Sequence, residues 1–542
     1  MSGSEGHGGE LALSALRPYG VNEMFTLSGG HIFPFYDAAV KQELPIYDVR
    51  HEQTATFAAE GLAKLTRRPA LAVLTAGPGV TNGVSAMTTA YFNGSPLVVF
   101  GGRAPQARWG SGSLQELDHV PIVASITKLA RTATSVEEIP KVVDEAVAAA
   151  ATPHRGPVFV DFPLDVVFGS AQAGPPATAA VLSGAAPDPD AMARAGALIA
   201  GARAPALVAG GDVWWGGAWD ALRRLVEDLR VPAFTNGLGR GCLPADHDLA
   251  FSRTRSFLKQ ADVVVVVGTP LDFRLSFGHF GTAKVVHVVD APGPLSPVTH
   301  PEVVVAGDLI AALDGIADAG RRAVAKPDHE KWLAELDLAE RGARAADAAL
   351  LESGADPIHP ARVYGELAQI LDRDAIVIGD GGDFVSWAGK LVDSYQPGCW
   401  LDPGPYGCLG TGMGYTMAAR VAHPDRQVVL MLGDGAAGFS LMDADSLVRH
   451  RLPAVIVVGN NGIWGLEKHP MKAIYGYDVA ADLQPGCRYD EVVSALGGAG
   501  EMVSAPDGIR PAIERGLASG VPYVVNVLLD PEAVYPRSSN LG

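Results

Sequence analysis

The feature that most narrows the fold of this chain is a series of short, unbroken apolar runs bounded by Gly or Pro. They are Leu71–Leu74, Leu97–Phe100, Val158–Phe162, Val263–Val267, Ile376–Ile378, Val428–Leu432, Val455–Val458 and Val524–Leu529. A run without polar alternation suits a strand buried on both faces, and such strands belong to parallel sheets covered by helices. Ala-rich stretches of helical period, such as Pro140–Ala151 and Ala191–Gly201, stand between the runs. The pattern predicts an α/β fold. Two low-complexity stretches interrupt it: Gly169–Asp190, rich in Ala, Pro and Gly, and a charged segment around Ala323–Pro360. Read as linkers with room for a helix, they divide the 542 residues into three domains, 1–170, 190–325 and 355–542, each of ordinary domain size. The first and third are candidates for related folds without visible sequence identity.

Charge and cysteine usage narrow the function. The formal charge is −18, from 42 Lys+Arg against 60 Asp+Glu, and a surplus of carboxylates argues against a nucleic-acid partner. The polar, Gly-rich N-terminus has no basic segment leading into an apolar one, and no apolar run approaches the ~18 residues of a membrane span. A cytoplasmic protein without membrane association is expected. Cys242, Cys399, Cys408 and Cys487 match no common zinc spacing and read as buried free thiols.

The richest segment begins at Gly433-Asp434-Gly435, directly after the run Val428–Leu432, and ends at Asn460-Asn461, directly after Val455–Val458. Strand, Gly-Asp-Gly, helix, strand, Asn-Asn sets a carboxylate and an amide at the C-terminal ends of two parallel strands, where open α/β sheets bind ligands. Mg²⁺ takes a few protein oxygens and completes its octahedron with phosphate oxygens and water. Asp434, the Asn461 side chain and a nearby carbonyl, that of Ile463, would hold a diphosphate through it, with Gly433 and Gly435 allowing close phosphate approach. A lone Gly-Asp-Gly is as well explained by an ordinary turn. The paired Asn at this spacing makes the signal specific.

Gly-Asp-Gly, 24 intervening residues (436–459) and Asn-Asn resemble the thiamine diphosphate (ThDP) motif of the acetolactate synthase and pyruvate oxidase superfamily, and the likeness extends over nearly the whole chain. Arg50-His51-Glu52-Gln53, Ala58-Ala59-Glu60-Gly61 and Gly77-Pro78-Gly79-Val80-Thr81-Asn82 resemble its cofactor-activating signatures, in the right order. The resemblance implies that Glu52 hydrogen-bonds the aminopyrimidine of ThDP and so promotes loss of the thiazolium C2 proton, with Gly79 and Asn82 beside it. Leu114-Gln115-Glu116 and Ile126-Thr127-Lys128 resemble the substrate-channel segment of acetolactate synthases, which makes Gln115 a catalytic candidate. Gly379-Asp380-Gly381-Gly382-Asp383 resembles the diphosphate cradle. Gly382, Asp383 and Phe384 are its cofactor contacts, although Asp383-Phe384 replaces the usual Gln-His. Met413 is the candidate for the apolar residue that bends ThDP, and Leu466 for a contact beside the thiazolium. Gly268 to Arg274 resembles the FAD-contacting segment of acetolactate synthases, so Arg274 is a candidate ligand of FAD or ADP in the central domain. The family also implies a homodimer or homotetramer.

Two reactions fit this resemblance. An acetolactate synthase decarboxylates pyruvate and joins the product to a second 2-oxo acid, whereas a 2-hydroxyacyl-CoA lyase cleaves its substrate to formyl-CoA and a carbonyl compound. Glu467, in Gly465-Leu466-Glu467-Lys468, stands where synthases place apolar residues and Gln-Trp, and it resembles an acidic residue of some lyases that moves the substrate's hydroxyl proton. Gln115, Lys128 and Arg274 favour the synthase. A non-catalytic homologue would lack an essential part, and Glu52, Asp434 and Asn461 are all present.

Overall fold

The structure is a computed structural model that describes residues 4–173, 184–292, 300–323 and 329–536. Three parallel sheets follow one another along the chain. The N-terminal sheet has the spatial order Ile46–Asp48, Met24–Thr26, Ala70–Leu74, Leu97–Arg103, Val158–Pro163, Leu129–Thr132. The central sheet runs Ala233–Thr235, Pro205–Ala209, Val263–Val267, Lys284–Val289, Val303–Ala306. The C-terminal sheet runs Trp400–Leu401, Ile376–Asp380, Val428–Gly433, Val455–Asn460, Tyr523–Leu528, Ala499–Val503. Each of the eight apolar runs lies in one of these strands, with Leu529 just past the end of the last, and all but a few of their residues are buried.

The N- and C-terminal sheets share one strand order. Numbered along the chain within its own sheet, each reads 2-1-3-4-6-5, so the two blocks are related folds. In every sheet the order reverses between the first and third strands. Loops leaving those strands diverge and open a crevice at the carboxyl edge, where ligands bind.

Both expected linkers contain packed structure. Ser170–Ala173 pairs antiparallel with Ser4–His7, while residues 174–183 of that linker lie outside the described residues. In the second, residues 324–328 are outside the described set, and Glu330–Leu351 forms one long helix. Its buried Trp332, Leu333 and Leu336 make an apolar stripe hidden in a charged sequence. Trp332 Nε1 donates to the Pro205 carbonyl at 2.9 Å, and buried Glu340 accepts from the Ser252 and Arg253 amides and the Thr254 hydroxyl. The helix is thereby a fixed part of the central block. Among the described residues no helix is long and apolar enough to cross a membrane. Cys242 and Cys399 are buried free thiols, with burial pushing them up to about 12 and about 11; Cys408 and Cys487 are half-buried.

Helix Glu52–Thr66 of the N-terminal block packs tightly on helix Gly412–Ala422 of the C-terminal block. A Cβ at Gly61 would lie 2.8 Å from the Tyr415 ring, and one at Gly414 would lie 2.7 Å from Phe57 Cβ. Only glycine permits that approach. At the seam, Lys64 Nζ lies 3.0 Å from Glu60 Oε1, both side chains being excluded from solvent. Tyr415 donates to Glu60 Oε2 at 2.6 Å, Lys64 donates to the Tyr415 oxygen at 2.7 Å and to the Asp402 carbonyl at 3.1 Å, and Asn93 and Ser95 donate to Glu60 Oε1. Breaking a buried pair by removing one partner costs about 3–5 kcal/mol, because the other charge is left uncompensated. Lys64→Met is expected to lose that much, read as a lower urea-unfolding midpoint; an unchanged midpoint would show that the pair contributes nothing.

Candidate active site

At the C-terminal crevice, Gly379-Asp380-Gly381 and Gly433-Asp434-Gly435 end adjoining strands on either side of the order reversal. Asp434 accepts from the Gly435 amide at 2.9 Å and the Gly462 amide at 2.7 Å. Asn461 donates to Asp383 Oδ2 at 3.1 Å, and its Oδ1 accepts from the Ile463 amide. The structure thus gathers Asp383, Asp434, Asn461 and Ile463. Burial pushes Asp434 up to about 6 and raises Asp383, and each carboxylate lacks a Lys or Arg within 4 Å among the described residues. Two poorly solvated carboxylates, with the Asn461 amide beside Asp383, make an electrostatic hole suited to a hard divalent cation.

Gly381 and Gly382 both have positive φ, at 81° and 75°, and open helix Gly382–Leu391. A Cβ at Gly382 would meet nothing within 4 Å, so open space faces the helix N-terminus, a ready anion site. Gly433 and Gly435 lie opposite; a Cβ at Gly435 would come within 2.5 Å of the Trp464 ring. Phe384 differs from expectation. Its side chain turns into the core, where its ring would lie 2.4 Å from a Cβ on Gly459, and its carbonyl accepts from Tyr364. Only its backbone borders the crevice. Met413 is likewise wholly buried in its helix. Leu466 and Glu467 occupy the first turn of helix Gly465–Tyr475, Leu466 half-buried and Glu467 exposed. Partial burial and the nearby Asp383 charge raise Glu467, while Lys468 pairs with Asp478 and Asp482 instead.

At the N-terminal crevice, Ser28, Gly29, Gly30, His31, Thr75, Leu114 and Gln115 line a cleft of about 490 Å³. Glu52 opens helix Glu52–Thr66 and is buried, its Oε2 accepting from Asn82 Nδ2 at 2.9 Å. A Cβ on Gly79 would lie 2.7 Å from Thr75 Cγ2 and 3.6 Å from Glu52 Oε1, which ties the Glu52 carboxylate to this cleft. The Thr75 hydroxyl is buried there with no hydrogen-bond partner among the described residues. His31 escaped the sequence reading. Burial holds its imidazole below the usual range. A second missed group is the chain Arg103–Asp161–His119, which reaches the Gly77 amide through distances of 2.9, 3.1 and 2.9 Å. Nothing in local spacing marks these residues, because the contacts cross from strand to loop.

Models of the thiamine pyrophosphate enzyme N-terminal TPP binding domain, central domain and C-terminal TPP binding domain match residues 6–122, 192–316 and 380–527. The chain belongs to the thiamine pyrophosphate enzyme family. This thiamine pyrophosphate enzyme is 54% identical, over 99% of its length and 98% of the relative's, to the acetolactate synthase large subunit of Mycobacterium tuberculosis. It is 34% identical to a 2-hydroxyacyl-CoA lyase 2 of Caenorhabditis elegans, over 95% of this chain and 88% of that one, and 32% identical to the human protein of that name. ThDP, which is thiamine pyrophosphate, is the family's cofactor. The glycine-walled anion site, the cation hole and the unpartnered Thr75 hydroxyl all fit such a molecule.

The enzyme's central crevice has a different character. Asp212 and Asp290 flank His154, whose Nδ1 lies 3.6 Å from Asp212 Oδ1 and 3.1 Å from Asp290 Oδ1. Asp212 raises His154 to about 9, while burial raises Asp212 to about 7. Lys128, 13 residues after Gln115, sits here, donating to the Thr152 and His154 carbonyls at 2.7 Å, whereas Leu114 and Gln115 line the N-terminal cleft. Arg274 is clamped by Asp272, with Nη2 and Oδ2 2.7 Å apart.

Asp434→Ala is expected to weaken Mg²⁺ and ThDP affinity by at least ~10-fold, with activity partly restored at high concentrations of both. Calorimetry checks this, and unchanged ThDP affinity would overturn the assignment of Asp434 to the metal.

Proposed function

We propose that the protein is a Mg²⁺-dependent carboligase of the acetolactate synthase type, which decarboxylates a 2-oxo acid such as pyruvate and joins the remaining unit to a second 2-oxo acid. The observation that carries this reading is 54% identity along the full chain to an acetolactate synthase large subunit. When bound, ThDP supplies a carbon that adds to a carbonyl and a ring that accepts the electron pair released as the neighbouring bond breaks. The residues of this chain do the rest. Glu52, steadied by Asn82, would exchange a proton with the pyrimidine. Asp434, Asn461 and the Ile463 carbonyl would hold Mg²⁺ beside the diphosphate, and the amides after Gly381 would face its oxygens. Gln115 lines the cleft into which substrate enters. Glu52→Gln is expected to keep ThDP affinity but lower turnover by at least ~10²-fold. Near-normal turnover would reject Glu52 as the activating group.

One observation favours a second reaction, cleavage of a 2-hydroxyacyl-CoA. Glu467 has no ion-pair partner within 4 Å among the described residues, and its raised affinity for a proton suits a group that takes one from a substrate hydroxyl and returns it. Glu467→Gln would reduce lyase turnover by ~10-fold or more while leaving pyruvate decarboxylation intact. If the wild type forms acetolactate and neither protein cleaves a short 2-hydroxyacyl-CoA, the lyase reading is dead.

The central crevice binds an adenine nucleotide, ADP or the ADP part of FAD: Asp290 Oδ2 is buried without a partner, at the strand end where a ribose hydroxyl would donate. Chromatography of ligand released from purified protein tests this, and absence of any nucleotide after saturation with ADP or FAD rejects it. The enzyme is at least a homodimer, because Tyr91, Phe92, Tyr406, Phe439 and Met442, from both end blocks, remain exposed. Light scattering that found a monomer at micromolar concentration would refute it.

A further inference from the structure

We infer that His119 is a positioning residue for ThDP activation: held as one neutral tautomer by Asp161, it fixes the glycine loop against which the Glu52 carboxylate is set. The inference rests on the Glu52 reading above.

His119 is wholly buried. Its Nε2 lies 2.9 Å from the Gly77 nitrogen, and a backbone N–H can only donate, so Nε2 must carry the lone pair. The proton is therefore on Nδ1, where it faces Asp161 Oδ2 at 3.1 Å. Asp161 is also buried and shares that oxygen with Arg103 Nη1 at 2.9 Å, while Arg103 contacts Asp118 and lies over the Trp109 ring. Every bond in this chain has a fixed direction. A carboxylate behind the imidazole selects its tautomer, and the imidazole presents a single acceptor to the loop.

The loop needs such an anchor. Gly77 has φ 60° and precedes the short helix Pro78–Asn82. A Cβ on Gly77 would lie 3.0 Å from Gln115 Cβ, and Gln115 itself has φ 57°, so two unusual backbone conformations face one another. Two residues beyond Gly77, Gly79 approaches Glu52 Oε1; five beyond, Asn82 donates to Glu52 Oε2 at 2.9 Å. The path from His119 to Glu52 is one turn of chain, and displacement of reacting groups by ~1 Å can cost ~10²-fold in rate. His119, wholly buried, acts only through the Gly77 loop.

The test uses full-length enzyme with ¹⁵N-labelled histidine. Before ThDP is added, NMR should show His119 protonated at Nδ1 and not at Nε2. His119→Leu, which leaves the Gly77 amide without an acceptor, should slow exchange of the C2 proton of added ThDP by ~10- to 10²-fold while its affinity by calorimetry changes little. His119→Gln, whose amide oxygen can accept from Gly77, should recover much of that loss. Asp161→Ala should act like His119→Leu, because no acceptor then holds the Nδ1 proton and the imidazole is free to turn Nε2–H against the Gly77 amide; it serves if His119→Leu does not fold. Wild-type exchange rates in His119→Leu or Asp161→Ala, with only a lower melting temperature, would make the chain purely structural and overturn the inference. Glu52→Gln in parallel separates the two readings. Exchange lost there but normal in the His119 variants defeats this inference alone, whereas normal exchange in Glu52→Gln defeats the reading beneath it.

Discussion

Helix Glu52–Thr66 joins the fold to the chemistry. Its first residue is Glu52, at the N-terminal crevice, and its third and fourth turns are pressed against Gly412–Ala422 through Gly61 and the sealed pair Glu60–Lys64. A buried ion pair adds little stability when intact, yet it discriminates strongly against arrangements that leave it unpaired. Here the partners that complete it, Tyr415 and the Asp402 carbonyl, come from the far end of the chain. The register between the end blocks is therefore tied to hydrogen bonds that no sliding of the helices preserves. Thr54 reinforces it by donating to Asp443 at 2.6 Å.

The same topology does different work in the two blocks. At both crevices loops diverge where the strand order reverses, but the C-terminal one is walled by Asp383 and Asp434, and the N-terminal one by Thr75, His31 and Gln115. One suits a cation and a polyanion, the other a polar ring. Asp380 is spent on architecture: it accepts from the Gly410 and Gly412 amides at 3.1 and 2.8 Å, and burial lifts it to about 7.

What was legible in the sequence follows from distance along the chain. Eight strands announced themselves as apolar runs because they are buried on both faces, although the equally buried Pro205–Ala209 was not among them. Met24–Thr26 and Ile46–Asp48 are only three residues long, while Leu129–Thr132 and Ala499–Val503 are edge strands carrying Arg131 and Glu501. Short or half-exposed strands lack the signal. Asp434, Asn461 and Ile463 could be read together because one strand–helix–strand unit brings them close. His119 and Gly77, 42 residues apart, could not, since neither residue type nor spacing hints at the bond. Motif alignment names positions and not directions, which is why Phe384 was expected at the cofactor and its ring is found in the core.

The seam at Glu60, Lys64 and Tyr415 also sets a timetable. Tyr415 follows Lys64 by 351 residues, which at ~5–20 residues per second is roughly 20–70 s of synthesis. Throughout that interval the small-residue face of helix Glu52–Thr66 has nothing to lie against, and its ion pair stays in water. The first block must wait, folded but unsealed, for the last to emerge. A newborn chain thus carries the glycine-notched face of helix Glu52–Thr66 uncovered until its own Gly412–Ala422 has been made.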